Sequence, residues 1–170
     1  MEKKALLDGI LENIRSGKNT LIWKQNTLTY VTQIQDKYKY TVYINETAPI
    51  KTKIIEIIIK LSQLKGRVKI ETESELNKFT AIQLKEILKK RVQKDKLVVV
   101  FNRFENITRS VAQFWLSVAG NKHIVFVGSV WGSWRKELYG FYKIFELINK
   151  EEREERSEEH TSELQSHACI

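Results

Sequence analysis

Cysteine, histidine, proline and glycine are all scarce in this sequence. Of 170 residues, one is cysteine, three are histidine, one is proline and seven are glycine. A single cysteine cannot build a disulfide framework, and so few cysteines and histidines exclude the usual zinc sites. No glycine occurs between Gly17 and Gly66, so that segment has no glycine-rich loop. We expect neither disulfides nor a metal site built from protein ligands.

Long apolar runs are lacking as well. No segment approaches the roughly 18 apolar residues that a membrane-spanning helix needs. The amino-terminal segment, MEKKALLDGILENIRSGK, is amphipathic and charged and does not resemble a signal peptide. We therefore predict a cytoplasmic protein with no membrane partner.

Residues 156–170 differ in character from the rest of the chain and read RSEEHTSELQSHACI. This segment resembles the in-frame translation of a short-read sequencing adapter, which indicates a metagenomic or draft-assembly gene. We expect it to be a non-native tail that packs against nothing. Residues 1–155 then form one domain, cut short at its carboxyl end and large enough for a sizeable core.

Positive charge exceeds negative charge. The chain has 29 Lys and Arg against 21 Asp and Glu, a net charge of +8. Without the tail, which holds one Arg and three Glu, the balance is 28 against 18, or +10. Such a surface favours phosphate backbones, and the alternative is a lysine-rich solvated surface. The candidate nucleic-acid-binding residues are Lys85, Lys89, Lys90, Arg91, Lys94, Arg135 and Lys136.

Apolar strands alternate with helical segments along the chain. Residues 97–101 and 124–127 are continuously apolar, as in parallel strands that are buried on both faces. Shorter strands are predicted at 20–23, 41–44 and 143–147. Helices are predicted between the strands, among them one that opens with a capping box at Thr80 and Gln83 and one at 133–138. The alternation predicts an α/β fold, a three-layer αβα sandwich with a mostly parallel sheet of four or five strands.

Two parts of this prediction leave room for another fold. Residues 28–35 have both helical spacing and a Thr and Tyr content that suits a strand. If they were a strand, residues 19–45 would form an antiparallel meander followed by helices. Residues 67–71, RVKIE, are also predicted to form a short strand.

Four segments together resemble a known family: LLDGILENIRSGKNTLIW, KYTVYIN, LVVVFNRFENITRSVAQFWLSVAGNKHIVFVGS and RKELYGFYKIFEL. In order and spacing they resemble the AAA-type P-loop ATPases, particularly the archaeal ATPase group. The resemblance implies a phosphate loop after the first strand, acids for Mg²⁺ and water at the end of the third, and a polar sensor after the fourth. It also implies that strands 97–101 and 124–127 are central, with 20–23 beside 124–127 and 41–44 beside 97–101.

The segment where the family has its phosphate loop is altered. The family uses a Gly-rich loop ending in Lys-Ser/Thr, which brings backbone N–H groups to the phosphates. Here the first strand is followed by KQNTLTYVTQ, which has no glycine and is shorter than that loop. Lys24 and Thr27 are interpreted as remnants of the Lys-Ser/Thr pair. The alternative is a solvated turn that contains a lysine.

The positions where the family has its acids are Asn102 and Arg103. An amide brings no negative charge, and a guanidinium, with a pKa above about 12, cannot be a general base. Ser129 stands at the sensor position. We therefore assign no catalytic residue. The candidate nucleotide-binding residues are Lys24, Thr27, Asn102 and Ser129, with either no cofactor or ATP and Mg²⁺ bound weakly.

Three functions remain open. The first is a degenerate AAA-type ATPase-like module without hydrolysis, which acts by binding nucleic acid, a protein partner or a missing carboxyl-terminal domain. The second is a basic nucleic-acid-binding protein without nucleotide dependence. The third is an active ATPase with atypical motifs. Trp131 and Trp134 lie beside the basic Arg135, and we interpret them as part of a domain interface rather than as a platform for stacking bases.

Overall fold

The computed structural model describes residues 3–44, 49–67, 69–92, 96–132 and 136–149. The strands are β1 (Asn19–Trp23), β2 (Thr41–Ile44), β3 (Leu97–Phe101), β4 (Ile124–Val130) and β5 (Phe145–Leu147). The helices are α1 (Lys3–Arg15), α2 (Leu28–Lys37), α3 (Ile50–Leu64), α4 (Glu73–Leu76), α5 (Ala81–Arg91), α6 (Arg109–Val118) and α7 (Tyr139–Tyr142). Short 3-10 helices cover Phe104–Asn106 and Lys136–Leu138.

The strands form one five-stranded sheet in the order β2-β3-β4-β1-β5, and every neighbouring pair is parallel. The register aligns Thr20 with Val127 and Val98 with Val125. The central pair is therefore β3 and β4, with β1 beside β4 and β2 beside β3, as predicted. The antiparallel meander is excluded, because residues 28–37 form helix α2 between two parallel strands.

Helices cover both faces of the sheet, which confirms the three-layer αβα prediction. In β3, Leu97, Val99 and Phe101 face the layer formed by α3 to α7, whereas Val98 and Val100 face α1 and α2. All five of these side chains are fully buried. Because the sheet is covered on both faces, its central strands need continuous rather than alternating apolar sequence.

Aromatic rings fill the core between the sheet and α6–α7. Phe101 on β3 lies 6.1 Å from the ring of Trp115 and 5.9 Å from that of Phe126, measured between centroids. Phe141 meets Phe126 edge-on at 5.6 Å. Edge-to-face pairs at these distances contribute beyond the area they bury, so this cluster anchors α6 and α7 to the middle of the sheet.

Local sequence signals set several helix ends. Thr80 and Gln83 form the predicted capping box at the start of α5, each side chain bonding the other residue's backbone N–H. Gly17 follows α1 with a φ of 76°, a conformation that glycine adopts without strain.

Other local predictions were wrong or lie outside the described residues. The predicted strand at 67–71 is absent from the described residues there, which join α3 to α4 away from the sheet and leave Ile70 exposed. The helix predicted at 133–138 is a short 3-10 helix in its described part, Lys136–Leu138. The tail at 156–170 lies outside the described residues.

Within the part of the chain that the structure describes, no helix is both long enough and apolar enough to span a membrane.

Candidate functional site

The carboxyl ends of β1, β3 and β4 bring the four candidate nucleotide-binding residues to one edge of the sheet. Val100 of β3 is aligned with Val127 of β4, so Asn102 and Ser129, two residues further on, lie side by side. Ser129 is also aligned with Ile22 of β1, which precedes Lys24 by two residues. In doubly wound sheets, ligands bind at this edge.

The turn from β1 to α2 contains only residues 24–27. Lys24 adopts a left-handed conformation with a φ of 53°, which is uncommon outside glycine. Its N–H donates to the carbonyl of Val130 at 2.9 Å and so extends the pairing of β1 with β4. The chain thus turns directly into α2 without a wide loop, although the lysine pays a conformational cost of about 1–2 kcal/mol.

Thr27 is tied into the fold. Its side chain is buried, and its hydroxyl donates to the carbonyl of Phe101 at 2.9 Å, which joins the start of α2 to the end of β3. Thr27 makes no side-chain cap to its own helix. The hydroxyl that the family resemblance would direct at Mg²⁺ therefore bonds another part of the same chain.

The first backbone N–H groups of α2 are also satisfied within the turn. The N–H of Leu28 donates to the Asn26 side-chain oxygen at 3.0 Å, and that of Thr29 donates to the Asn26 carbonyl at 3.1 Å. The N–H of Tyr30 donates to the Thr27 carbonyl at 3.0 Å. A helix start binds phosphate through free N–H groups, and these three already have acceptors.

Asn102 and Ser129 bring neutral polar atoms to the same edge of the sheet as this turn. The Asn102 side-chain oxygen and the Ser129 hydroxyl are buried and have no hydrogen-bond partner among the described residues. Buried polar atoms are normally paired, so these two stand out. An amide and a hydroxyl suit a water molecule or a ligand hydroxyl; they bring no charge to balance Mg²⁺ or phosphate.

The side chain of Glu105, the nearby carboxylate, binds backbone N–H groups and does not face an open site. One of its oxygens accepts hydrogen bonds from the N–H groups of Trp131 at 2.7 Å and Gly132 at 2.9 Å. Its other oxygen is buried and without a partner among the described residues. Arg103 lies with its guanidinium carbon 4.9 Å from the Trp131 ring centroid. The carboxylate therefore fixes the segment that follows β4.

Sequence reasoning missed Glu105 and a second clamp made by Asn149. The Asn149 amide accepts from the Trp23 N–H at 2.6 Å and donates to the Trp23 carbonyl at 2.7 Å, extending the pairing of β1 with β5 beyond the end of β5. Glu105 and the backbone it binds are far apart in the chain, as are Asn149 and Trp23, and no local sequence pattern marks such contacts.

The basic residues predicted on α5 are only partly available. Arg91 pairs with Glu71 and donates to the Ser62 hydroxyl at 2.7 Å, and its side chain is 13% exposed. The ion pair holds the pKa of the Glu71 carboxyl below its usual value. Lys89 lies 3.8 Å from Glu86.

The remaining candidates differ in their surroundings. Lys85 is half-buried, whereas Lys90 and Lys136 are exposed. Lys94 and Arg135 lie outside the described residues, as does Trp134. Among the described members of the predicted nucleic-acid set, Lys90 and Lys136 are therefore the exposed ones.

Other lysines of the described residues bond backbone carbonyls. Lys51 bonds Asn77 at 2.8 Å, Lys60 bonds Thr41 at 2.7 Å, Lys65 bonds Arg91, and Lys96 bonds Ile14 at 2.5 Å and Arg15 at 2.6 Å. Burial lowers the pKa of Lys60 and of Lys96. Part of the positive charge therefore stabilises helix and strand ends, so the net charge overstates the surface that is free for a partner.

Among the described residues, no group of three or more His, Cys, Asp and Glu side chains is placed to hold a metal ion.

Comparison with known proteins gives one family and several structures of similar fold. The model of the Methanothermobacter ORF3 family matches residues 8–150. No curated protein matches the chain. The description of the matching family names no ATPase activity.

The similar structures are chains of Drosophila ORC complexes. A chain of ORC bound to DNA has a TM-score of 0.58 and 10% identity, with 85% of this chain and 86% of that chain covered. A chain of ORC bound to AT-rich DNA and Cdc6 gives 0.58 and 10%, with 85% and 52% covered. A chain of ORC bound to poly(dA/dT) DNA and Cdc6 gives 0.54 and 14%, with 85% and 28% covered. At such identities the likeness concerns the fold alone.

Proposed function

The chain belongs to the Methanothermobacter ORF3 family, and on this premise we propose that it is a degenerate AAA-type ATPase-like module, related to the archaeal ATPase group, that does not hydrolyse ATP. The module acts by binding nucleic acid or a protein partner. Its fold resembles that of ORC chains that were solved in complexes with DNA. That likeness supports the architecture, and the activity is argued from the residues at the sheet edge.

The turn from β1 to α2 is the observation that carries the proposal. Catalysis of phosphoryl transfer depends on positioning and on donors directed at the phosphates. Here the turn is too short to wrap around a phosphate group, and the Thr27 hydroxyl bonds the Phe101 carbonyl. Lys24 remains as a cation, so nucleotide binding is weak at best.

The end of β3 supports the same conclusion. Asn102 and Arg103 stand where an ATPase needs carboxylates, and Glu105 is engaged with the backbone of Trp131 and Gly132. Since no carboxylate of the described residues is free to face the site, Mg²⁺ and the attacking water have no anchor among them. Loss of even one well-placed transition-state donor costs about 10²–10³ in rate, so several losses together leave hydrolysis at background.

Phosphate release from MgATP tests the proposal. The wild-type protein is compared with a no-protein control and with a Lys24→Ala variant, after urea titration has shown that the wild type and the variant are both folded. We expect the three rates to agree, because Lys24 has no catalytic partners. Turnover above the control that disappears in the Lys24→Ala variant would show an active ATPase with atypical motifs.

Binding without hydrolysis is measured separately, with a fluorescent ATP analogue and Mg²⁺. We assign any weak binding to Lys24, Asn102 and Ser129, since they meet at the carboxyl edge of the sheet, whereas the Thr27 hydroxyl is engaged with the Phe101 carbonyl. Lys24→Ala should remove it, whereas Lys78→Ala, an exposed lysine in the turn that precedes α5, should not. Equal loss in both variants would argue against a nucleotide site at this edge.

A further inference from the structure

A lysine precedes each strand of the sheet by one or two residues. The lysines, in the order of strands across the sheet, are Lys39 before β2, Lys96 before β3, Lys122 before β4, Lys18 before β1 and Lys143 before β5. Because all the strands are parallel, all of these lysines lie at the amino edge of the sheet, opposite the candidate nucleotide site.

The geometry of the sheet makes these lysines a row. Neighbouring strands lie about 4.8 Å apart, so five strands place the row over about 19 Å. Duplex DNA carries one phosphate per 3.4 Å along each strand, so the row spans about six base pairs. The rigid sheet fixes the spacing of the lysine backbones, although each side chain remains free to adjust to a phosphate.

Of the five helix-to-strand loops, the one before β3 contains an acid, Asp95, which stands between Lys94 and Lys96 in the sequence. Two acids of neighbouring elements lie near the row: Glu146 on β5 lies 3.9 Å from Lys18, and Asp36 near the end of α2 lines an open cleft with Lys37, Lys39 and Lys96. The loops that carry the row therefore hold more lysines than acids.

Bonding to the carboxyl ends of helices accounts for only some of the lysines in this row. Cations complement the carboxyl end of a helix, and Lys96 does so by bonding the last carbonyls of α1. Lys39, Lys122 and Lys143 are exposed. The side chains of these three lysines form no hydrogen bond or ion pair with the described part of the chain, although the Lys39 ammonium lies 5.0 Å from the Tyr40 ring.

We infer that this lysine row is a sequence-independent binding surface for the phosphate backbone of duplex nucleic acid. The strand register staggers the row, since Lys18 is level with Val125 and so lies three residues further along its strand than Lys122. Long, exposed lysine side chains can adjust to this stagger, and a row of cations suits a backbone with a charge at every nucleotide. Single strands are usually held by exposed aromatic side chains, whereas the aromatic residues of the described loops are the half-buried Tyr38 and the buried Tyr40. The inference deepens the nucleic-acid part of the proposed function and places the contact away from α5.

The test is the salt dependence of binding to a labelled duplex of about 20 base pairs. Each phosphate neutralised contributes about −0.9 to the slope of log K against log salt. Lys96 is held by the carbonyls of α1, so four lysines remain to bind phosphate: Lys18, Lys39, Lys122 and Lys143. With these four, the affinity is expected to fall about 150-fold between about 50 and 200 mM salt. The variant Lys39→Gln/Lys122→Gln/Lys143→Gln leaves Lys18, so the fall becomes about 3- to 4-fold.

A matched control removes three positive charges elsewhere. Lys3→Gln/Lys4→Gln/Lys78→Gln alters exposed lysines at the start of α1 and in the turn before α5, and it should keep the wild-type slope. The variant Lys39→Arg/Lys122→Arg/Lys143→Arg keeps the charges and should also keep the slope, which separates loss of charge from loss of folding.

Three results would overturn the inference. These are an equal loss of slope in the edge and control variants, no duplex binding by the wild-type chain at about 50 mM salt, or tighter binding of a single strand that depends on the same lysines. None of them bears on ATP hydrolysis. Conversely, ATP turnover would remove the inactive-module proposal and leave the lysine row as argued.

Discussion

Replacing Thr27 with valine tests whether this residue serves the fold or a nucleotide. The substitution keeps the size of the side chain and removes the hydroxyl that donates to the Phe101 carbonyl at 2.9 Å. Because Thr27 is 1% exposed, water cannot replace the lost donor. Leaving a buried acceptor unsatisfied costs about 1–3 kcal/mol. No helix cap is lost, since the Thr27 side chain does not cap α2.

Urea unfolding followed by circular dichroism measures this cost. With a denaturant slope of about 2 kcal/mol per molar urea, the midpoint of Thr27→Val should fall by about 0.5–1.5 M. Thr29→Val makes the same chemical change at an exposed position of the same helix, and it should stay within about 0.5 kcal/mol of wild type. A Thr27→Val protein with wild-type stability that had lost MgATP binding would refute the structural role.

Two further predictions concern the other side chains that the structure places in internal contacts. Glu105→Ala removes the acceptor of two backbone N–H groups, so it should lower the free energy of unfolding by about 2–4 kcal/mol; unchanged stability in urea would contradict the clamp. Arg91 lowers the pKa of the Glu71 carboxyl in the folded protein. The pair therefore stabilises the fold at pH values above the unfolded-state pKa of about 4.3. That stabilisation is lost as the pH falls through the lower folded-state pKa. Glu71→Gln should therefore lower stability at pH 7 by about 1–3 kcal/mol and flatten its decline in acid, whereas an equally steep acid decline in the variant would show that the pair is not the cause.

The sheet could be predicted from sequence because its strongest signals are local. Leu97–Phe101 and Ile124–Val127 are apolar on both faces, which only a covered sheet accommodates. The positions of β1 beside β4 and of β2 beside β3 came from the family resemblance, and the structure confirms them. The predicted strand at 67–71 was wrong: the described residues there join α3 to α4 and leave Ile70 exposed, so such a short alternating pattern did not mark a buried face.

Helix α2 could be predicted only in part, because residues 28–35 suited both a helix and a strand. Of the three residues whose spacing favoured a helix, Ile34 is buried, Val31 is partly buried against the core and Leu28 is 50% exposed. Thr27 and Tyr30 are also buried. The hydrogen bond of Thr27 to Phe101 sets the rotation of the helix, and that contact joins residues that are 74 positions apart. Hydrophobic spacing alone does not contain this information.

The candidate site was only partly accessible from sequence. The positions of Lys24, Asn102 and Ser129 at one edge followed from their places after strands. The partners of Glu105 and Asn149 did not, because they depend on how the strand ends meet in three dimensions. The lysines before the strands are visible in the sequence, but they form a row only once all the strands are known to be parallel.

The central claim of the proposed function is that this protein does not hydrolyse ATP, and a single-turnover measurement tests it most directly. The protein is placed in excess over a trace of γ-labelled MgATP, so that even one slow cycle per molecule is detected. The account predicts that labelled phosphate appears at the rate seen in buffer alone. Conversion of the trace above that rate, abolished in the Lys24→Ala variant, would contradict it.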